Sequence, residues 1–202
     1  EAHADDGSVC EVFLRIRRAN KARLARVIRE TTGLAVSPDS LFDVQAKRIH
    51  EYKRQLLNVM RILYEYLCLV EDRVEPPVAK TYVFAGKAAP GYWAAKQIIK
   101  LVNDVAAVVN SDPRVRQLMR VAFIPDYRVS LAEKMIPATD ISEHISTAGK
   151  EASGTSNMKF ALNGALTVCT YDGANIEIVE EVGEENIYVF GNTAEMLREL
   201  RD

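Results

Sequence analysis

Apolar residues recur along this chain in two rhythms, one at helical spacing and one in short unbroken runs. Val9, Val12, Phe13, Ile16, Leu24, Val27 and Ile28 keep helical spacing across 9–32, and Gly33 stands where such a helix would end. The run 40–46 predicts a short strand. Residues 51–72 predict a helix with Leu56, Met60, Leu63, Leu67 and Val70 on one side. The apolar run 81–85, closed by Gly86, predicts a buried strand. A long helix fits 92–109, ahead of Asp112 and Pro113, and a strand fits 118–124, stopped by Pro125. The pattern continues with a helix at 131–135 before Pro137, a strand at 141–146, a helix at 155–163 closed by Gly164, a strand at 165–170, a helix at 174–182, a strand at 187–190 and a helix at 193–201.

Strand and helix alternate almost throughout. That order predicts an α/β fold, built of right-handed βαβ units around a parallel sheet. Ligands in such folds bind at the carboxyl ends of the strands. The 202 residues suffice for a single domain with a sizeable core, and no linker, repeat or low-complexity tract divides them.

Composition narrows the partners. The net charge of −2 lacks the basic excess of a nucleic-acid binder, so charge matters only locally. Cys10, Cys68 and Cys169 show no CxxC spacing, and His3, His50 and His144 are not paired, so neither a disulfide framework nor a metal site is expected. No run of 18 apolar residues predicts a membrane span. The acidic start, Glu1, Asp5 and Asp6, has the wrong sign for a secretory leader. The expectation is a cytoplasmic protein.

Two segments carry candidate chemistry. In EASGTSNMKFALNG (151–164), Ser153, Gly154, Thr155 and Ser156 precede a short helical stretch. Unpaired backbone N–H groups at a helix start can cradle an anion, although an ordinary N-cap uses the same residue types. Lys159 lies four residues after Thr155, so both project from one helix face. Phosphate cradle and amine on one face would suit pyridoxal phosphate, whose aldehyde and phosphate sit at opposite ends of a small ring. The plainer reading of Lys159 is a solvated charge. In KRIHEYKR (47–54), Lys47, Arg48, Lys53 and Arg54 crowd eight residues just after the first strand. Cations there suit phosphate groups, and the dipole of a following helix disfavours them otherwise.

Other segments are weaker. GKAAPG (86–91) lacks the Gly-Lys-Ser/Thr ending of a nucleotide phosphate loop, and its glycines read as turn and close-packing positions. His50 and His144 each read as structural histidines before they read as acids or bases. Glu177, Glu180, Glu181, Glu184 and Glu185 are irregularly spaced and read as a solvated face rather than a glycosidase pair.

These same residues resemble the glycogen/starch (α-glucan) phosphorylase family. The resemblance runs through KRIHEYKRQLLN (47–58), GKAAPGY (86–92), DYRVSLAEK (126–134), ISTAGKEASGTSNMKFALNGALT (145–167), DGANIEI (172–178) and GEENIYVFG (183–191). It covers 38–191 almost without a gap, while 1–37 resembles the family's leading helix more faintly. Ser156 stands where animal members often have glycine and His144 where many have glutamine, both as in plant-type starch phosphorylases. The resemblance implies a Rossmann-like core at 38–202 behind a leading helix at 1–37, together part of the second lobe of a glycosyltransferase B fold. It implies phosphorolysis of terminal α-1,4-linked glucose by inorganic phosphate, giving glucose 1-phosphate with retained configuration, in a homodimeric enzyme.

Residue by residue, the resemblance makes Lys159 the Schiff-base lysine of pyridoxal 5′-phosphate. Lys47 and the Thr155–Ser156 backbone would hold the cofactor phosphate, and Tyr127 and Arg128 would line the cofactor site. Arg48 and Lys53 would hold the substrate phosphate. Glu151, Ser153 and Gly154 would contact the glucosyl hydroxyls. Full-length members are about four times longer, so the chain is expected to lack the first lobe and to be inactive alone. Two other readings compete: a sugar-nucleotide transferase of the same fold without pyridoxal phosphate, and a non-catalytic carbohydrate-binding module. The second is disfavoured because sugar binders use aromatic platforms and Trp93 is the single tryptophan.

Overall fold

The computed structural model describes residue 3 and residues 5–200. Glu1 of the acidic start and Arg201, the expected last residue of the final helix, lie outside the described residues. Helices and strands alternate in the expected order. α1 (Gly7–Thr32) leads to β1 (Leu41–Ala46), α2 (Gln55–Leu67), β2 (Lys80–Ala85), α3 (Trp93–Ser111), β3 (Met119–Ile124) and α4 (Val129–Met135). There follow β4 (Ile141–His144), α5 (Ser156–Leu162), β5 (Leu166–Cys169), α6 (Asn175–Val182), β6 (Tyr188–Val189) and α7 (Ala194–Glu199).

The strands form one parallel sheet in the order β3-β2-β1-β4-β5-β6. This is the Rossmann-like order. The chain winds outward from β1 through β2 to β3, then returns to place β4 on the other side of β1. The strand order therefore reverses between β1 and β4, which opens a crevice at their carboxyl ends.

Helices cover both faces, as parallel strands buried on two sides require. On one face Phe42, Val44, Val83 and Ile124 pack with Leu24, Ile28, Met135 and Phe160. On the other, Tyr82, Phe84 and Val121 pack with Val59, Ile62, Val102 and Val109. α1 starts at Asp6, whose carboxylate accepts from Ser8 N at 2.9 Å, and stops at Gly33 in the left-handed region. Its middle is fixed to the amino end of β4: Arg17 and Lys21 donate to Asp140 at 2.9 and 2.5 Å, and Asp140 also accepts from Phe42 N.

Two helices differ from expectation. The stretch 51–72 is not one helix. Residues 51–53 form a 3₁₀ turn, Arg54 takes a left-handed conformation with φ 56°, α2 follows, and 68–72 make a π-helical turn. The break has a cause: Arg54 turns its guanidinium onto the segment just past β4, donating to Ile145 O at 2.5 Å and Ser146 O at 3.3 Å. The apolar side predicted for this helix is also largely outward, since Leu56, Met60 and Leu67 are exposed while Gln55, Asn58, Val59 and Ile62 are buried. The inward side faces polar strand residues. Likewise only Leu24 and Ile28 of the α1 apolar set are fully buried, and Val9, Val12, Phe13 and Ile16 are exposed. The acidic residues from Glu177 to Glu185 are all exposed, as expected.

Candidate active site

A cavity of about 610 Å³ opens at the β1/β4 reversal. Such a volume fits a small-molecule site. Its floor comes from the ends of β1 and β4, with Lys47, Arg48, His144 and Ser146. One wall is the turn carrying Tyr52 and Lys53, another the loop 151–155 and α5, and Tyr127 closes a side. Of the residues singled out from sequence, Lys47, Arg48, Lys53, Tyr127, Glu151, Ser153, Gly154, Thr155, Ser156 and Lys159 all line it. Arg128 does not. Its guanidinium pairs with Asp126, its Nε donates to Ser130 at 3.0 Å, and both contacts lie on the surface.

Two glycines let backbones meet there. At Gly86, which follows β2, a Cβ would overlap the Lys47 carbonyl and press on Ile49. At Gly173, φ is +54° and a Cβ would overlap the Ser153 carbonyl.

Lys47 is half-buried. Its Nζ lies 3.0 Å from His144 Nδ1. Burial, then the neighbouring Lys53 charge, brings its amine down to about 7. Burial and the same two lysines hold His144 well below its ordinary range. His144 is therefore neutral, its Nδ1 accepts from the Lys47 ammonium, and its proton sits on Nε2, 3.2 Å from Ser142 Oγ. Lys53 pairs with Glu151, whose carboxylate also accepts from Tyr52 OH at 3.3 Å. Arg48 and Lys159 enter no ion pair among the described residues, so both are available to a ligand. Lys159 N donates to Thr155 O at 3.4 Å, which places both side chains on one helix face. α5 itself is shorter than predicted, and Thr155 opens it without a side-chain cap.

The support beneath this wall was not singled out from sequence. Asp172 is buried and accepts from Ser146 Oγ at 2.5 Å, Lys150 N at 3.0 Å and Glu151 N at 3.0 Å. Asn175 Nδ2 donates to His144 O and Thr170 O, and its Oδ1 accepts from Asn157 Nδ2 at 2.9 Å. These three side chains tie the loop 151–155 to the end of β4. The signal was the DGAN run itself: an acid and an amide beside a glycine turn between strand and helix. His50 is not in the cavity lining. It caps the 3₁₀ turn and stacks near Tyr52 and Tyr92, with ring centroids 4.6 and 4.8 Å away.

The match to known families is complete along the chain. A family model described as carbohydrate phosphorylase matches residues 1–202. The chain belongs to the carbohydrate phosphorylase family. The chain is 56% identical to a glycogen phosphorylase of Pasteurella multocida over 97% of its length, covering 24% of that protein. It is 53% identical to an alpha-glucan phosphorylase, H isozyme, of Vicia faba over 98% of its length, and 54% identical to glycogen phosphorylase 2 of Dictyostelium discoideum. It spans between a fifth and a quarter of the length of these relatives. The matched family is the carbohydrate phosphorylases, not a sugar-nucleotide transferase family. Among the described residues no helix is long and apolar enough to cross a membrane.

Proposed function

We propose that this chain forms the phosphate- and cofactor-bearing lobe of an α-glucan phosphorylase, which releases terminal α-1,4-linked glucose by phosphorolysis as glucose 1-phosphate. The observation that carries this reading is the cavity at the strand reversal. It gathers Lys47, Arg48, Lys53 and the amine of Lys159 into a single concave site. A glucan-binding module has no use for four cations there, whereas two phosphate groups brought together need them.

The residues fit pyridoxal 5′-phosphate. Lys159 offers a solvent-open amine as its covalent anchor, one helical turn from Thr155 and Ser156, whose N–H groups open α5. Lys47 supplies a cation to the ester phosphate, and Tyr127 a flanking ring. Arg128, on the surface, contributes to this site only by moving. When bound, the cofactor supplies a phosphate that exchanges a proton with the substrate phosphate. Arg48 and Lys53 would hold the incoming phosphate. Glu151, fixed through Asp172, and the loop at Ser153–Gly154 would orient the glucosyl hydroxyls.

The relatives' lengths support a partner lobe that completes the cleft, with this chain as part of the second lobe of a glycosyltransferase B fold: a leading helix at 1–37 and a core at 38–202. The chain alone would then lack phosphorolysis. A homodimeric, cytoplasmic enzyme is the matching setting, and one relative from Arabidopsis thaliana is named as cytosolic. The test is chemical. Pyridoxal 5′-phosphate followed by borohydride should label Lys159 selectively in the full-length polypeptide. Labelling scattered over surface lysines, or phosphorolysis that survives removal of the cofactor, overturns the reading.

A further inference from the structure

On the α2 side of the sheet lies a second set of ionisable groups, and the proposed reaction makes no use of it. Asp43 on β1 and Glu143 on β4 are both buried, at 2% and 3% exposure. Their strands pair through Val44 and Ser142. A single guanidinium reaches both: Arg61 Nη2 is 2.6 Å from Asp43 Oδ2 and 3.3 Å from Glu143 Oε1. The remaining groups facing the pair are Asn58 and Glu65 of α2, Lys80 and Tyr82 of β2, Gln45 of β1 and, toward the cavity, Lys47 and Cys169.

The charges do not balance as drawn. Three carboxyl groups, Asp43, Glu143 and Glu65, form ion pairs with only two cations, Arg61 and Lys80, while Lys47, toward the cavity, is in ion-pair contact with none of them. Glu65 is fully engaged by Lys80, Tyr82 and Arg61. The surplus falls on Asp43 and Glu143. Asp43 Oδ1 is buried with no donor, and Glu143 Oε1, although 3.3 Å from Arg61 Nη2, is buried and receives no hydrogen bond. Their strands are paired neighbours, so each carboxyl lies in the other's field. Two bare carboxylates so placed repel, and a buried acceptor without a donor is costly. One proton between them removes both costs.

We propose that Asp43 and Glu143 share a single proton, forming a buried acid–carboxylate pair that ties β1 to β4 and keeps one negative charge, not two, behind Lys47. Burial first, then the Asp43 charge, pushes Glu143 up to about 8, and burial also raises Asp43. The proton therefore stays through neutral pH. The pair is a positioning element. It holds together the two strands whose ends carry the phosphate-binding groups, and it limits how strongly the carboxylates raise the proton affinity of Lys47. The amide variants Glu143→Gln and Asp43→Asn each keep one carboxylate and the same net charge at pH 7, and replace the acid O–H donor by an amide NH2.

The experiment is infrared spectroscopy of the full-length polypeptide, with side-chain carboxyls of aspartate and glutamate isotopically labelled. The wild type should show a buried carboxylic-acid C=O stretch at pH 7 that fades as pH rises past about 8. The band should be absent from Glu143→Gln and from Asp43→Asn. Denaturant stability gives the second readout. The folded state holds the Glu143 proton more tightly than the unfolded state, so its contribution is full below 4.5 and is lost as pH rises through about 8. The wild type should lose stability relative to Glu143→Gln between pH 6 and 9. Should a variant not fold, the wild-type spectrum alone decides. A wild type without a protonated carboxyl at pH 7, or a Glu143→Gln offset that is constant with pH, overturns the proposal.

Discussion

Lys47 Nζ and His144 Nδ1 lie 3.0 Å apart across the β1/β4 reversal, a half-buried cation resting on a neutral imidazole. The contact orients the amine into the cavity while adding no opposing charge. Burial and the Lys53 charge leave Lys47 poised near neutrality. The folded chain binds this proton less tightly than the unfolded chain does. The cost to stability accordingly grows as pH falls from 10.5 toward 7 and is full below that.

An arriving phosphate ester should pull that proton in. At pH 8 Lys47 is mostly neutral, so binding of pyridoxal 5′-phosphate should take up close to one proton; at pH 6 the uptake should vanish. Calorimetry in buffers of different ionisation enthalpy measures this directly. Lys47→Met should abolish the uptake and weaken binding by roughly 10- to 100-fold, the size of one charge-assisted hydrogen bond. Unchanged uptake in the variant would remove Lys47 from the phosphate site.

Asp172 should matter more than its place outside the predicted site suggests. It receives three donors from the loop and strand it joins. Asp172→Ala strands those donors and should cost on the order of 2–3 kcal/mol of stability. Asp172→Asn retains one acceptor oxygen and should lose less. Urea unfolding of the three proteins orders them, and equal losses for Ala and Asn would contradict the carboxylate's role.

Much of this was legible in the sequence. The alternation of runs at 81–85 and 118–124 with helical spacing between them sets a parallel sheet, because runs buried on both faces have few other homes. The cations at 47–54 and the loop before Lys159 were visible as clusters, and the fold brings them together because both follow strands at the reversal. The α2 face was misread for a physical reason. Its apolar stripe is outward because the inward side, Gln55 and Asn58 with Arg61, meets Asp43, Gln45 and Glu143. Hydrophobic periodicity carries no information about a polar interior layer. The left-handed Arg54 was hidden for the same kind of reason: its cause is a contact to Ile145, 91 positions away.

Gly86 joins packing to the site. A Cβ there meets the Lys47 carbonyl, which is backbone and cannot swing aside. Gly86→Ala should destabilise by about 1–3 kcal/mol, as overpacking does, and should also displace Lys47. Thermal unfolding and phosphate-ester affinity should therefore fall together. A stability loss with unchanged affinity would separate the two.

Anchor and phosphate cradle should come apart by mutation. Lys159 and Lys47 both line the cavity, yet they stand on different elements, α5 and the end of β1. Lys159 has no ion-pair partner among the described residues, so Lys159→Met leaves no buried charge behind and should preserve the fold. It should abolish covalent labelling by pyridoxal 5′-phosphate and borohydride. A phosphate ester lacking the aldehyde should still bind this variant within about threefold of the parent, since the cradle residues remain, and such a change is under 1 kcal/mol. Lys47→Met should show the reverse: labelling at Lys159 persists at high reagent concentration, while the phosphate ester binds weakly. The two variants are compared by mass spectrometry of the labelled peptide and by ester titration. Loss of both properties in both variants would mean that anchor and cradle act as one unit, and the separate roles assigned to Lys159 and Lys47 would not stand.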